Sequence, residues 1–140
     1  MSYYWPILLI VGSNVIYHIT AKSVPQNINP LAMLSVTYLC SAVLALGIYF
    51  TTSPVRNLTT EFQHLNWTTL VMGLAIVGLE FGSINMYKAG WDISVGSLFS
   101  NIALALALIV VGLLFYKETI NLQQFVGIGL CCVGLVLITK

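Results

Sequence analysis

Glu80 is the residue of this 140-residue chain whose chemistry most needs a reason. It stands near the middle of an apolar run, where a charged side chain costs on the order of 3 kcal/mol even on the lenient insertion scales. A carboxyl at such depth that takes up and releases a proton can exchange it for substrate, so the position predicts a proton or cation site. The competing role is structural: a protonated carboxyl hydrogen-bonded to a neighbouring helix would lock packing and do nothing else. At helical spacing Ser83 and Tyr87 share the face of Glu80, whereas Gly78 and Gly82 take the opposite face as a GxxxG pair. One side of this helix is expected to be wet and the other packed.

Asn14, Tyr17 and His18 repeat the arrangement three and four residues apart in another apolar run, as residues lining a cavity would. Ser94, Ser97 and Asn101 form a third polar stripe, and Thr37 with Ser41 a weaker one; interhelical hydrogen bonds explain these as well as a binding site does. Gly127, Cys131 and Gly134 make a small-residue stripe suited to close helix contact, where a dimer contact is expected. Cys40, Cys131 and Cys132 all fall in apolar runs without metal-site spacing, as packing thiols do. No nucleophile with a nearby base, HExxH pair, phosphate-cradling glycine loop or paired carboxylates occurs, so neither an enzyme nor a metal or other cofactor is expected.

The elements that must position these residues follow from composition. Apolar residues make up 59% of the chain and charged residues 6%, with a mean hydropathy of +0.95. Soluble domains carry about 25% charged residues, so this chain is written for lipid. A span takes roughly 20 apolar residues, and the length accommodates five of them: 5–20, 31–51, 67–87, 93–116 and 122–139. Pro25 and Pro30 punctuate the first connection, and Asp92 suits the N-cap of the fourth span. The polar stretch 53–66 spaces Leu58, Phe62 and Leu65 as a short helix on the membrane surface would, although an ordinary loop fits equally. Trp5, Trp67, Tyr116, Lys117 and Lys140 sit at span boundaries as depth anchors. No Lys or Arg precedes the first apolar run, so it reads as a retained span and not as a signal peptide. The net charge of +1, from cations scattered singly, makes nucleic acid an improbable partner.

With five spans, the N-terminus, Arg56 and Lys117 share one side and Lys22, Lys88 and Lys140 the other. The amine and two side chains balance the three lysines, so the cation excess that normally orients a membrane protein is missing. Insertion in both orientations is the expectation, and it permits an antiparallel dimer built from two copies of opposite topology.

These residues also carry a resemblance. Gly12-Ser13-Asn14-Val15 in the first span, followed by Pro30-Leu31 at the start of the next, resembles the opening of an EamA-like domain of the drug/metabolite transporter superfamily. Leu113-Leu114-Phe115-Tyr116-Lys117-Glu118-Thr119-Ile120, followed by Gly127-Ile128-Gly129-Leu130 and Gly134, resembles that domain's final helix pair. The likeness runs through nearly the whole chain and implies the short five-span bacterial and archaeal branch: an all-α membrane protein, with residues 1–140 one EamA-like bundle. The same region is similar to the small multidrug resistance family, in which a first-helix glutamate binds protons and cationic substrates in an antiparallel dimer. Asn14 stands at the matching position, so Glu80 would have to supply the charge from another helix. Glu118 matches that family's glutamate after the fourth span, and a structural turn or ion pair is its expected role.

The combined expectation is a secondary active transporter in the cytoplasmic membrane. It binds a small metabolite or drug-like compound near the midplane and works as a dimer, parallel or antiparallel. Glu80 would hold a proton or a substrate amine, Asn14 and Asn101 would orient polar substrate groups, and Tyr17, His18, Ser83 and Tyr87 would complete the wall. A lipid-linked flippase or accessory subunit, and a non-transporting assembly protein held by its glycine faces, are the alternatives.

Overall fold

The computed structural model describes residues 4–53, 57–117 and 121–138. Among them the chain forms six helices and no strand: α1 (Trp5–Lys22), α2 (Pro30–Thr52), α3 (Leu58–Gln63), α4 (Trp67–Lys88), α5 (Ile93–Phe115) and α6 (Leu122–Ile138). Five of these are the long apolar segments expected from sequence, with ends within two residues of those expected. The stretch between α2 and α4 holds the six-residue α3, exposed except for the half-buried Leu58, so a short surface helix forms there; Arg56 lies outside the described residues.

By length and hydropathy α2, α4 and α5 can each cross a bilayer. The 18-residue α1 is diluted by Asn14, His18 and Lys22, and α6 has 17 described residues. Three spans therefore stand on length and composition, and α1 and α6 enter the bilayer as part of the proposal below. Large apolar side chains are exposed on every long helix, among them Leu8, Leu44, Leu74, Leu108 and Leu130. Helices apolar all round and left uncovered would be untenable in water; in lipid the same surfaces need no cover.

Local chemistry places the helix ends. Asn29 caps α2, its Oδ1 accepting from Leu31 N at 2.9 Å, and Pro30 takes the first helical position, where a missing N–H does no harm. Asn29→Ala should cost about 1 kcal/mol, read as a lowered unfolding midpoint in detergent, with Asn29→Asp close to the parent. Asp92 occupies the N-cap position of α5, as expected, and its carbonyl accepts from Gly96 N at 2.8 Å, but its side chain makes no capping bond. Gly90, at φ +100°, makes the turn between α4 and α5 in a conformation that a Cβ would strain.

The chain divides into two compact units. One, Ser23–Lys88, contains α2, α3 and α4. Here α2 packs against α4, and Val24 from the preceding connection joins Leu34 and Ile84 in a small core flanked by Met33 and Tyr38. Lys88, the last residue of α4, donates from Nζ to the carbonyls of Gln26 (3.2 Å) and Ile28 (2.6 Å), bringing the end of α4 beside the start of α2. The two helices are thus antiparallel. The other unit, Met1–Lys22 with Ala89–Lys140, contains α1, α5 and α6. Here α5 packs against both α1 and α6, and its Gly96 and Gly112 are buried, which suits close approach of a neighbouring helix. The Lys22 ammonium donates to the carbonyl of Trp91, so α1 and α5 also run antiparallel.

Candidate functional site

The expected site residues divide between the units: Glu80, Ser83 and Tyr87 in one, Asn14, Tyr17, His18 and Asn101 in the other.

On α4 the covered residues recur at helical spacing. Glu80 and Ser83 are half-buried, and Ile84 and Tyr87 are buried. Since Ile84 packs in the core with Leu34 of α2, this stripe is the α4 face turned towards α2. Gly78 and Gly82, on the other face, are exposed, and a Cβ on either would meet nothing within 4 Å. Within this unit the face expected to be packed is open, and the face expected to be polar is the one covered. Glu80 lies eight residues before Lys88, about 12 Å along the helix at 1.5 Å per residue. In the antiparallel pair that is the level of Thr37 and Tyr38 of α2, both half-buried. Ser83 Oγ donates to Leu79 O at 2.9 Å and Thr37 Oγ1 to Met33 O at 3.1 Å, so both hydroxyls are satisfied on their own helices. Among the described residues no hydrogen-bond partner reaches the Glu80 carboxyl.

On α1, Tyr17 and His18 are half-buried and meet edge to face, with ring centroids 5.2 Å apart and planes at 72°. Asn14 is exposed, and its Nδ2 donates to Ile10 O at 3.0 Å, leaving the carboxamide oxygen as the group able to accept from a ligand. Asn14 precedes Lys22 by eight residues and Asn101 follows Trp91 by ten, so the two carboxamides come to similar depth, about 12–15 Å from that end.

Asn101 also lines a groove of about 530 Å³ between α5 and α6, with Ile102, Leu106, Gln124, Gly127 and Cys131. Gly127 and Cys131, expected at a dimer contact, thus line an open groove inside one unit, and a Cβ on Gly127 or Gly134 would meet nothing within 4 Å. Gln124 is the polar residue that sequence reasoning missed. Its Oε1 accepts from Asn121 N at 2.9 Å while Asn121 Oδ1 accepts from Gln123 N at 3.2 Å, a variant of the capping box opening α6. The Asn-x-x-Gln spacing was the available signal, and it marks a helix start before it marks a site. Ser97 and Ser100 return their hydroxyls to Ile93 O and Gly96 O at 2.6 and 3.0 Å, which satisfies both within α5.

Among the described residues no three His, Cys, Asp or Glu side chains gather as a metal site requires. Glu118 and Lys140 lie outside the described residues. What the arrangement offers is one half-buried carboxyl on a covered helix face and, in the other unit, carboxamide, phenol and imidazole groups on a packed helix pair. Such groups can bind and orient a polar ligand.

Compared with known families, residues 3–140 match the model of the EamA-like transporter family. No curated protein and no solved structure matches the chain.

Proposed function

Because this chain belongs to the EamA-like transporter family, we propose that it is a secondary active transporter of a small metabolite or drug-like compound, coupled to protons through Glu80. Membership over residues 3–140 is the observation that carries this reading, and it marks the chain as a multi-pass membrane transporter. Glu80 adds the coupling. A carboxyl half-buried against the neighbouring helix, in the middle of an apolar span, is a functional group by default, and here it is assigned the coupling proton. Ser83 and Tyr87 beside Glu80 in one unit, and Asn14, Tyr17, His18 and Asn101 in the other, are the further residues assigned to substrate. Their hydroxyls and amides fit polar groups of a small molecule near the midplane, where transporters of this kind bind. All five long helices cross the cytoplasmic membrane, residues 1–140 act as one domain, and two copies form the working unit.

The test is uptake into proteoliposomes under an imposed pH gradient, using a panel of small amines, acids and neutral metabolites. Accumulation of at least one compound that collapses with the gradient supports the reading; no accumulation of any compound, with the protein folded and inserted, contradicts it. A lipid-linked substrate is the second reading, favoured by the mainly apolar groove between α5 and α6. Movement of a fluorescent lipid across the same vesicles, without uptake of water-soluble compounds, selects it.

Balanced charge makes opposite insertion of the two copies part of the proposal. With a cysteine in place of Lys140, about half of the chains in sealed vesicles should react with an impermeant reagent. Complete labelling or complete protection rejects dual insertion.

A further inference from the structure

The groove between α5 and α6, both in one unit, has a length and a depth as well as a volume. On α5 it is lined from Asn101 to Leu113, about 18 Å of helix. On α6 its lining starts at Gln124, near the start of that helix, which the short connection after α5 sets beside Leu113. Leu113 stands close to the end of α5 at Phe115, so with α5 crossing the bilayer the groove opens at the edge of the hydrocarbon and runs inward past the helix centre. One leaflet of hydrocarbon is about 15 Å deep, half of a core of about 30 Å. The groove therefore spans a single leaflet from its edge to the midplane. Leu108 and Leu130, which flank its lining, are exposed, so it is continuous with the surface turned to lipid. No charged side chain lines it; its polar groups are the carboxamides of Gln124 at the mouth and Asn101 at the inner end, with the Cys131 thiol between. Gln124 Oε1 accepts from Asn121 N, leaving Nε2 as a neutral donor at the level of lipid ester carbonyls.

We propose that this groove holds one acyl chain of a membrane phospholipid as a resident ligand, drawn from the leaflet beside the connection between α5 and α6. The chain lies along the two helices from Gln124 inward, with an ester carbonyl accepting from Gln124 Nε2. Its terminal methyl stops at Asn101, whose carboxamide hydrocarbon does not solvate. A groove left empty costs its walls their contact atoms on one side, and a chain of one leaflet's length restores them along the whole lining. The volume of about 530 Å³ is that of an ordinary ligand site, for which about 300–1,000 Å³ is typical. The lipid is a ligand and not cargo, so the inference stands whether or not the substrate reading does.

The test is photolabelling in vesicles of phosphatidylethanolamine and phosphatidylglycerol that carry a trace of phosphatidylcholine with a diazirine midway along one chain. Mass spectrometry of peptides locates the label, and no uptake is needed to read it. Label should concentrate on Leu106, Ile109 and Ile128 about tenfold over Leu104 and Leu114, which α5 exposes outside the groove. Gly127→Leu, at a position where a Cβ meets nothing within 4 Å, puts a side chain into the groove and should bring its labelling down to the level of those controls. Ala105→Leu repeats the change from the other wall, and Gly73→Leu, equally open but on α4, should leave the pattern unchanged. Circular dichroism of each variant separates a filled groove from failure to fold. Equal labelling of groove and control positions means fluid lipid alone. A groove shielded from label, with Cys131 of two copies joined by a bismaleimide, makes it a contact between copies, and transfer of the probe across the bilayer makes the lipid cargo. Each of these, or groove labelling unmoved by both leucine changes in folded protein, overturns the proposal.

Discussion

Replacing Glu80 with glutamine lowers pH-driven uptake on the order of a hundredfold, the effect of losing a coupling free energy of about 3 kcal/mol. Glutamine keeps the size and hydrogen-bonding reach of the side chain but cannot lose a proton, so it separates coupling from packing. If the carboxyl only locked α4 to its neighbour, glutamine would serve nearly as well and uptake would survive. The fold should tolerate the change, since a neutral side chain at this depth removes the cost of a charge in hydrocarbon. Asp92→Asn is the matched control: Asp92 stands outside the apolar span and makes no side-chain cap bond, so its loss of charge should leave uptake unchanged. Uptake by Glu80→Gln equal to the parent, at equal insertion, removes proton coupling from the proposal.

The largest stability effect falls on Leu34. Its side chain is 2% exposed, wedged with Ile84, also 2%, and Val24 where α2, α4 and the connection before α2 meet. Leu34→Ala should cost about 2 kcal/mol, at the low end of the range for soluble cores. The low end applies because lipid, unlike water, supplies little hydrophobic drive to bury the side chain, so most of what is lost is close packing. Reversible unfolding in mixed detergent micelles would show it. Leu70→Ala, at a site 74% exposed, should stay within about 0.5 kcal/mol of the parent. Equal costs at the two sites would mean that the Val24–Leu34–Ile84 cluster does not hold α2 to α4.

Local residues made the helices legible. Apolar runs separated by the polar stretches at 22–30, 53–66, 88–92 and 117–121 predicted five long helices, and the structure places their ends within two residues of that expectation. Asn29 with Pro30 and Asn121 with Gln124 are short-range signals that need no partner helix to act. Lipid character followed as directly, because six charges in every hundred residues cannot cover a protein in water.

Which helix meets which was not legible. In soluble proteins an apolar stripe marks the buried face, but here α2 and α4 also expose large apolar side chains, and lipid accepts them. The sidedness assigned to α4 from Gly78 and Gly82 therefore failed as a guide to packing within the unit: those glycines are open, and Glu80, Ser83, Ile84 and Tyr87 turn towards α2. Nor could spacing reveal that Lys22 and Lys88, read as charges that orient the chain, tie segments more than 60 residues apart. By itself, then, the sequence determined the helices, their ends and their solvent. Only the tertiary structure decided the pairing of α2 with α4 and of α5 with α1 and α6. In hydrocarbon, packing shape and a few long-range polar bonds choose the neighbours, and neither leaves a periodic mark along the chain.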